Sequence, residues 1–482
     1  MVPQWLRVGL QNPEIPLYLY FVAVGLFTPA EQNFIYHRSC LYFYDSEDIC
    51  NQIDSARELR QEEQVLQDSF SHFLIYLQIA SLLPTVFVAT IYGSWCDDFS
   101  HRLPMAIAHL GYMLTTLIYL LVSLAPVKAI NPEYLGFVSI FQGLGGNSVT
   151  VATVALSHAA RRTSPNFLMI RFGIIEMCMT LGEMSGYILT AFIFKDGKNY
   201  FNRFLIQMAI NAFAICYSFT MMPKLHKDKK VTDVFKIQPP LRRLVKAGKI
   251  VFKRPDHRHP EHQKKMIVAL FLFGTTAGLT GNKALNQITY EFMTHDPITF
   301  TFDPFQYSIY QAIFMASITI GLIVILPLFR SSLWPRVFPL SDAAIGLISM
   351  ISKIAALFVL SLGGFFPTAS PWIYCIVVSM ASFIYIALRS ALSKISETSE
   401  RGQVFAISGI LQTCFTLLAT VTYNFFYRFL VSSTPDSSPL HLWIHGYIFQ
   451  FIALISIAIT IPYVWLGFKK IETWSFYSSN KI

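Results

Sequence analysis

Glu176, Glu183, Lys283, Lys353 and Arg389 are ionisable residues in long apolar stretches where charge is costly. Inside a hydrocarbon layer a charge survives only against a partner or facing a cavity. Glu176 and Glu183 are seven residues apart, two turns along one helix face. Burial and a neighbouring carboxylate both favour the protonated form of a carboxyl, which is what a proton carrier needs. This pair is the expected proton-coupling site. Arg389, Lys283 and Lys353 offer positive charge to an anionic substrate, or to the carboxylates as gating pairs. Lys353 follows Asp342 by eleven residues, three turns on the same face. No nucleophile and base cluster together, so an enzyme is not expected and no cofactor is implied. The His257-Arg-His259-Pro-Glu-His262 run lies in a Pro-rich basic stretch and reads as solvated rather than as a metal site.

The elements that hold these residues are twelve apolar runs, near 15–34, 72–95, 103–125, 131–158, 167–194, 200–222, 266–292, 307–329, 340–364, 370–390, 401–430 and 441–467. They are numbered crossings 1 to 12 below. Each suits a bilayer, whose core of about 30 Å takes about 20 helical residues. The chain is 54% hydrophobic and only 13% charged, too few charges to cover a water-soluble surface. Backbone groups in lipid must be paired within their own helix, so the expected fold class is an all-α membrane protein. The runs do not alternate as β-barrel strands do. A channel is not expected either, since no filter-like segment repeats.

One basic stretch divides the runs into six and six. Residues 223–265 hold fourteen Lys or Arg against four Asp or Glu, a surplus that covers the whole net charge of +9. The expected division is therefore 1–222, an N-terminal six-helix bundle; 223–265, a basic cytoplasmic linker; and 266–482, a C-terminal six-helix bundle. Lys and Arg are retained on the cytoplasmic side, and anionic lipid headgroups suit such a linker. Nucleic acid does not, because no aromatic-rich basic fold accompanies the charge. Basic residues elsewhere cluster after even-numbered crossings, as at Arg102, Arg161, Arg162, Arg330, Lys394 and Lys469, so both termini are expected in the cytoplasm. The opposite stretch, 35–71, is acidic and faces outside or a lumen. Cys40 and Cys50 share it and are a candidate disulfide in an oxidising compartment. Gly143, Gly145, Gly146, Gly182 and Gly186 read as sites of close helix packing.

Two connections carry motifs. Gly93-Ser-Trp-Cys-Asp97-Asp98-Phe-Ser100-His101-Arg102 joins crossings 2 and 3. It resembles the loop signature of the major facilitator superfamily, with Ser100 at the second Gly position and His101 at the first basic one. Its logic is a latch: the Gly allows close approach, and the Asp caps a helix or pairs with a basic residue. Arg389…Lys394…Glu400-Arg401-Gly402 leads from crossing 10 into crossing 11, and Arg161-Arg-Thr-Ser-Pro165…Arg171 echoes it between crossings 4 and 5. That echo supports an internal six-helix repeat. Gly93, Asp97, Arg102, Glu400 and Arg401 are the expected gating residues.

Together with Pro29-Ala-Glu-Gln-Asn33-Phe-Ile-Tyr-His37-Arg38, Ile175-Glu176 and Thr289-Tyr290-Glu291, these motifs resemble solute carrier family 46, the family of the proton-coupled folate transporter. The resemblance runs from crossing 1 through crossing 11. It implies two six-helix bundles around a central cavity, with Glu176 in proton coupling and Arg389 in substrate and proton affinity. Asn147 falls where the folate carrier has an Asp, and Thr280 where it has a His. Asn147 joins Arg389, Lys283 and Lys353 as the expected substrate-binding set. The expected activity is proton-coupled symport of an organic anion by alternating access. Folate-like compounds, muropeptides, cyclic dinucleotides and steroid conjugates are the classes in view. The alternative is a non-transporting receptor or scaffold that keeps the fold. The plasma membrane and the lysosomal membrane both fit.

Overall fold

The computed structural model describes residues 12–52, 60–98, 100–164, 167–193, 200–222, 260–294, 302–330, 340–363, 365–396, 401–432 and 446–470. These residues are helical throughout their length apart from short turns, with no strand among them. All twelve crossings are present. Crossing 1 is Glu14–Tyr44, crossing 2 Arg60–Asp98, crossing 3 Arg102–Leu124, crossing 5 Leu168–Ile193 and crossing 6 Tyr200–Thr220. Crossing 8 runs from Pro304–Ile320 through a π turn to Leu326–Arg330; crossing 9 is Asp342–Ser361, crossing 11 Arg401–Ser432 and crossing 12 Tyr447–Lys470. The fold is a pair of six-helix bundles.

Three crossings are broken. Crossing 4 passes from Pro132–Ser139 through Ile140–Leu144 to a turn at Gly145 and Gly146, then resumes as Asn147–Arg162. Gly146 has φ +86° and Asn147 φ 54°. A left-handed residue is cheap only for glycine, so Gly146 is a hinge in the backbone rather than the packing glycine expected. Gly145 does pack, its Cα close to Gly111 of crossing 3. Crossing 7 breaks between Pro260–Leu279 and Asn282–Thr294, and crossing 10 between Ser370–Val377 and Phe383–Ile395. Crossing 1 carries Pro29 at its midpoint.

A carbonyl freed by a break needs a donor when no water is near. Tyr92 Oη donates to the Leu144 carbonyl at 2.7 Å, and Tyr423 Oη to the Leu279 carbonyl at 2.7 Å. The Lys353 ammonium donates to the Thr280 carbonyl, and Ser352 Oγ to the Val377 carbonyl.

Among the described residues, seven helices are long and apolar enough to cross a membrane on length and hydropathy alone: crossings 2, 3 and 8 to 12. The other crossings are broken or carry inward-facing polar groups, such as Arg203, Gln207 and Asn211 of crossing 6, all buried. Crossing 1 packs on crossing 5 through Gly25, Gly182 and Gly186. A Cβ at Gly182 would lie 2.6 Å from the Tyr18 carbonyl oxygen. The two bundles meet where crossing 2 lies on crossing 11 and crossing 5 on crossing 8.

The acidic stretch 35–71 is more helical than its polarity suggests. Crossing 1 continues to Tyr44 and crossing 2 starts at Arg60. Bilayer thickness limits the apolar length of a helix, not the helix itself. Asp45, with φ 52°, ends crossing 1, and Cys40 is joined by a disulfide to Cys50 on the short helix Glu47–Gln52.

Candidate functional site

Between the bundles lies a cavity of about 260 Å³. Both bundles line it, chiefly through crossings 1, 2, 4, 5, 7, 8 and 10. Breaks in crossings 4 and 7 bring Asn147 and Gly281 to its wall. Irregular backbone at membrane depth is expected only where it borders a cavity or packed protein.

Glu176, Glu183, Asn147 and Arg389 all line this cavity. Their convergence follows from helix geometry: the two glutamates share one face of crossing 5, and Arg389 faces them from crossing 10. Arg389 Nη1 donates to Glu176 Oε2 at 2.5 Å, with the two side chains 9% and 13% exposed. The guanidinium also lies 5.3 Å from the Phe273 ring centre. This ion pair therefore joins the two bundles inside the cavity. Asn147 Nδ2 donates to Ser81 Oγ at 2.9 Å, and its Oδ1 accepts from the Ser148 amide at 2.6 Å. The positive φ of Asn147 is what turns its amide towards crossing 2.

Lys353 is elsewhere. It is 2% exposed and is not on the cavity wall. Its ammonium is used on the Thr280 carbonyl and on Tyr385 Oη, the latter at 2.9 Å. The break in crossing 7 leaves that carbonyl without a helical donor, and Lys353 takes the donor's place; the break falls at Gly281-Asn282, a turn-prone dipeptide. Asp342 is not its partner. Asp342 accepts from Arg330, from Lys394 at 2.8 Å and from Ser390 Oγ at 3.0 Å. The side chains of Lys283 and Asp97, and Glu400 as a whole, lie outside the described residues.

One residue escapes the sequence reading. Glu31 of crossing 1 is 7% exposed and lines the cavity with Gln32. Like Glu176, Glu31 is a carboxylate within an apolar stretch, the 15–34 run of crossing 1.

The motif residues gather at one end of the cavity. Gly93 of crossing 2 faces crossing 11: a Cβ there would lie 2.5 Å from Ala406 Cβ and 2.9 Å from the Gly402 carbonyl oxygen. Arg401 of crossing 11 donates to the Ala160 carbonyl at the end of crossing 4. Phe172 and Phe405 add an edge-to-face contact at 5.8 Å. Arg102 does not bridge the bundles in its described hydrogen bonds; it caps crossing 6 through the Phe219 carbonyl at 2.7 Å. His101 is 1% exposed. Burial first, then the charges of His158, Arg161 and Arg162, push its pKa down to about 3. The imidazole is thus neutral and does not act as a basic latch residue. At the other end, Tyr290 Oη of crossing 7 donates to Asn33 Oδ1 of crossing 1 at 2.8 Å, with Phe70 at 6.1 Å from the Tyr290 ring.

The sequence profile of the Major Facilitator Superfamily matches residues 64–423. A proton-coupled folate transporter from Bos taurus is 23% identical over 226 residues, which is 46% of this chain and 48% of that protein. The match thus spans about half the length of the bovine relative. A probable peptidoglycan muropeptide transporter SLC46 from Drosophila melanogaster is 19% identical over 453 residues, 90% of this chain and 82% of that protein. Among solved structures, the human organic anion transporter MFSD10 superposes with a TM-score of 0.62 at 13% identity, covering 96% of this chain and 100% of that one. The nucleoside transporter NupG, solved as a point mutant, gives a TM-score of 0.55 at 15% identity, covering 94% and 100%. At such identities the structural likeness shows the fold alone.

Proposed function

The chain belongs to the major facilitator superfamily, and from that premise we propose that it is a proton-coupled symporter of a small organic anion. The observation that carries this reading is the Glu176–Arg389 pair, which spans the two bundles within the cavity. A proton on Glu176 removes the charge that holds Arg389. The freed guanidinium then meets the acid group of a substrate, which its planar fork suits. Proton and anion are thus bound together, and neither alone leaves the wall balanced. With both loaded, the cross-bundle pair is open and the bundles rock about the cavity, exposing it to the other side. With neither, the pair re-forms and the empty carrier returns.

The relatives' names support the anion. Folate and muropeptides both carry carboxylates. The basic 223–265 stretch supports cytoplasmic termini. An inward proton gradient then acts from outside the cell, or from the lysosomal lumen.

The test is uptake of labelled folate, a muropeptide and a cyclic dinucleotide by purified protein in liposomes, at acid and neutral pH. Acid should stimulate uptake of one compound. In Glu176→Gln that stimulation should fall by about tenfold or more, the weight of one charge-assisted hydrogen bond. Acid stimulation that persists in the mutant would sink the assignment. The same liposomes separate a carrier from a scaffold, which would move nothing.

A further inference from the structure

Among its described residues the cavity wall carries the carboxylates Glu31, Glu176 and Glu183 and the cation Arg389, which sits on Glu176. Glu31 has the least support. It is 7% exposed, its Oε1 lacks a hydrogen-bond partner, and its carboxylate makes no ion pair among the described residues. The Tyr119 hydroxyl lies beside it.

Its surroundings are aromatic. Phe27, one turn before Glu31 on crossing 1, has its ring centre 5.5 Å from that of Tyr112 and 5.4 Å from that of Tyr119. Phe27 and Tyr112 both reach the cavity. A carboxylate on a cavity wall shared with aromatic rings suits an ammonium group: the acid supplies charge, and a ring within reach supplies cation–π contact once water is excluded. An inorganic cation would instead want a cage of oxygens.

We propose that Glu31, with Phe27 and Tyr112, is an ammonium-binding subsite, and that the transported molecule carries an amine as well as an acid. The acid goes to Arg389 and the amine to Glu31. A buried carboxylate without a counter-ion is electrostatically costly, and a cationic ligand group relieves that cost only while it is bound. The inference rests on the cavity being the substrate site. It narrows the cargo from organic anions to zwitterions.

The test uses purified full-length protein in lipid nanodiscs and two probes, alanyl-tyrosine and N-acetyl-alanyl-tyrosine. They share the carboxylate and ring and differ in the ammonium charge. Wild type should bind the free-amine peptide at least tenfold more tightly. Glu31→Gln should abolish that preference and leave the acetylated peptide's affinity unchanged. Glu31→Asp, which keeps the charge, should retain part of it and shows that a loss is not misfolding. Equal binding of both peptides by wild type, or an unchanged preference in Glu31→Gln, overturns the subsite while leaving the cavity reading intact. Failure of wild type to bind either peptide overturns the subsite together with the zwitterion assignment. Proton-coupled uptake is tested separately through Glu176.

Discussion

At Glu176 and Arg389, two charges that would each be costly in lipid make one another tolerable. Both were legible in the sequence, because an ionisable residue in an apolar run has few reasons to be there. What was not legible is whether such a residue faces the cavity or the packing between helices. Lys353 shows the difference: it has the residue type of a ligand and the position of a strut. Losing it should therefore act on stability. Lys353→Met leaves the Thr280 carbonyl without its donor, a cost of about 1–3 kcal/mol. Thermal unfolding in detergent should register that loss, with substrate KM unchanged in the protein that remains folded. A raised KM at unaltered stability would return Lys353 to the substrate site. His101 gives a second residue-scale expectation. Its folded pKa of about 3 lies below the ordinary value of about 6.5, so in that window the unfolded chain binds more protons. The neutral ring's contribution is whole above about pH 6.5 and is lost progressively as pH falls from there towards 3. The unfolding midpoint of wild type should drop on acidification through this window, and that of His101→Gln should drop less.

Among the elements, the crossings themselves were the most legible feature, since bilayer thickness imposes their length. The breaks were not. Gly145-Gly146 and Thr280-Gly281 each lead into an Asn, but they lie within long hydrophobic runs, where glycine more often marks close packing. Only backbone geometry separates a packing glycine such as Gly182 from the turn at Gly146. The helical extension of crossing 1 to Tyr44 was hidden for a related reason, because hydropathy reports the lipid boundary and not the hydrogen-bonded one. Gly146 offers the prediction at this scale. A side chain there is strained by φ +86° and meets Thr150. Gly146→Ala should straighten or displace the turn that presents Asn147 and cost about 1–3 kcal/mol. Uptake should fall several-fold with less loss in Gly145→Ala, whose backbone is ordinary. Equal effects at the two positions would mean that packing, not the turn, sets the behaviour.

In the molecule as a whole, the two ends of the cavity are held by different chemistry. At the motif end stand the Gly93 seam on crossing 11, the Arg401–Ala160 contact and, one step inward, the Glu176–Arg389 pair. At the opposite end, the described residues offer the Tyr290–Asn33 hydrogen bond and ring contacts. A bulkier residue at the seam should keep the motif end from closing. Gly93→Leu would drive a side chain into Ala406 and Gly402, and overpacking of this kind costs about 1–3 kcal/mol. Cysteine labelling from the linker side should then rise at cavity positions while net uptake falls. Unchanged labelling would show that the seam is not where the halves separate.

The unequal fastening of the two ends also has a pharmacological side. Among the described contacts, the motif end must part the Gly93 seam and the charged Arg401–Ala160 hydrogen bond and the opposite end the neutral Tyr290–Asn33 one, so the barriers to opening differ. Turnover then idles mostly in the form whose lightly held end is ready to part. A compound too large to be carried would find the vestibule behind Tyr290 and Asn33 more often than the one behind Gly93. Such a blocker would compete from that face and would be nearly inert when applied to the other, so sidedness of inhibition in oriented vesicles would reveal how the carrier rests between cycles.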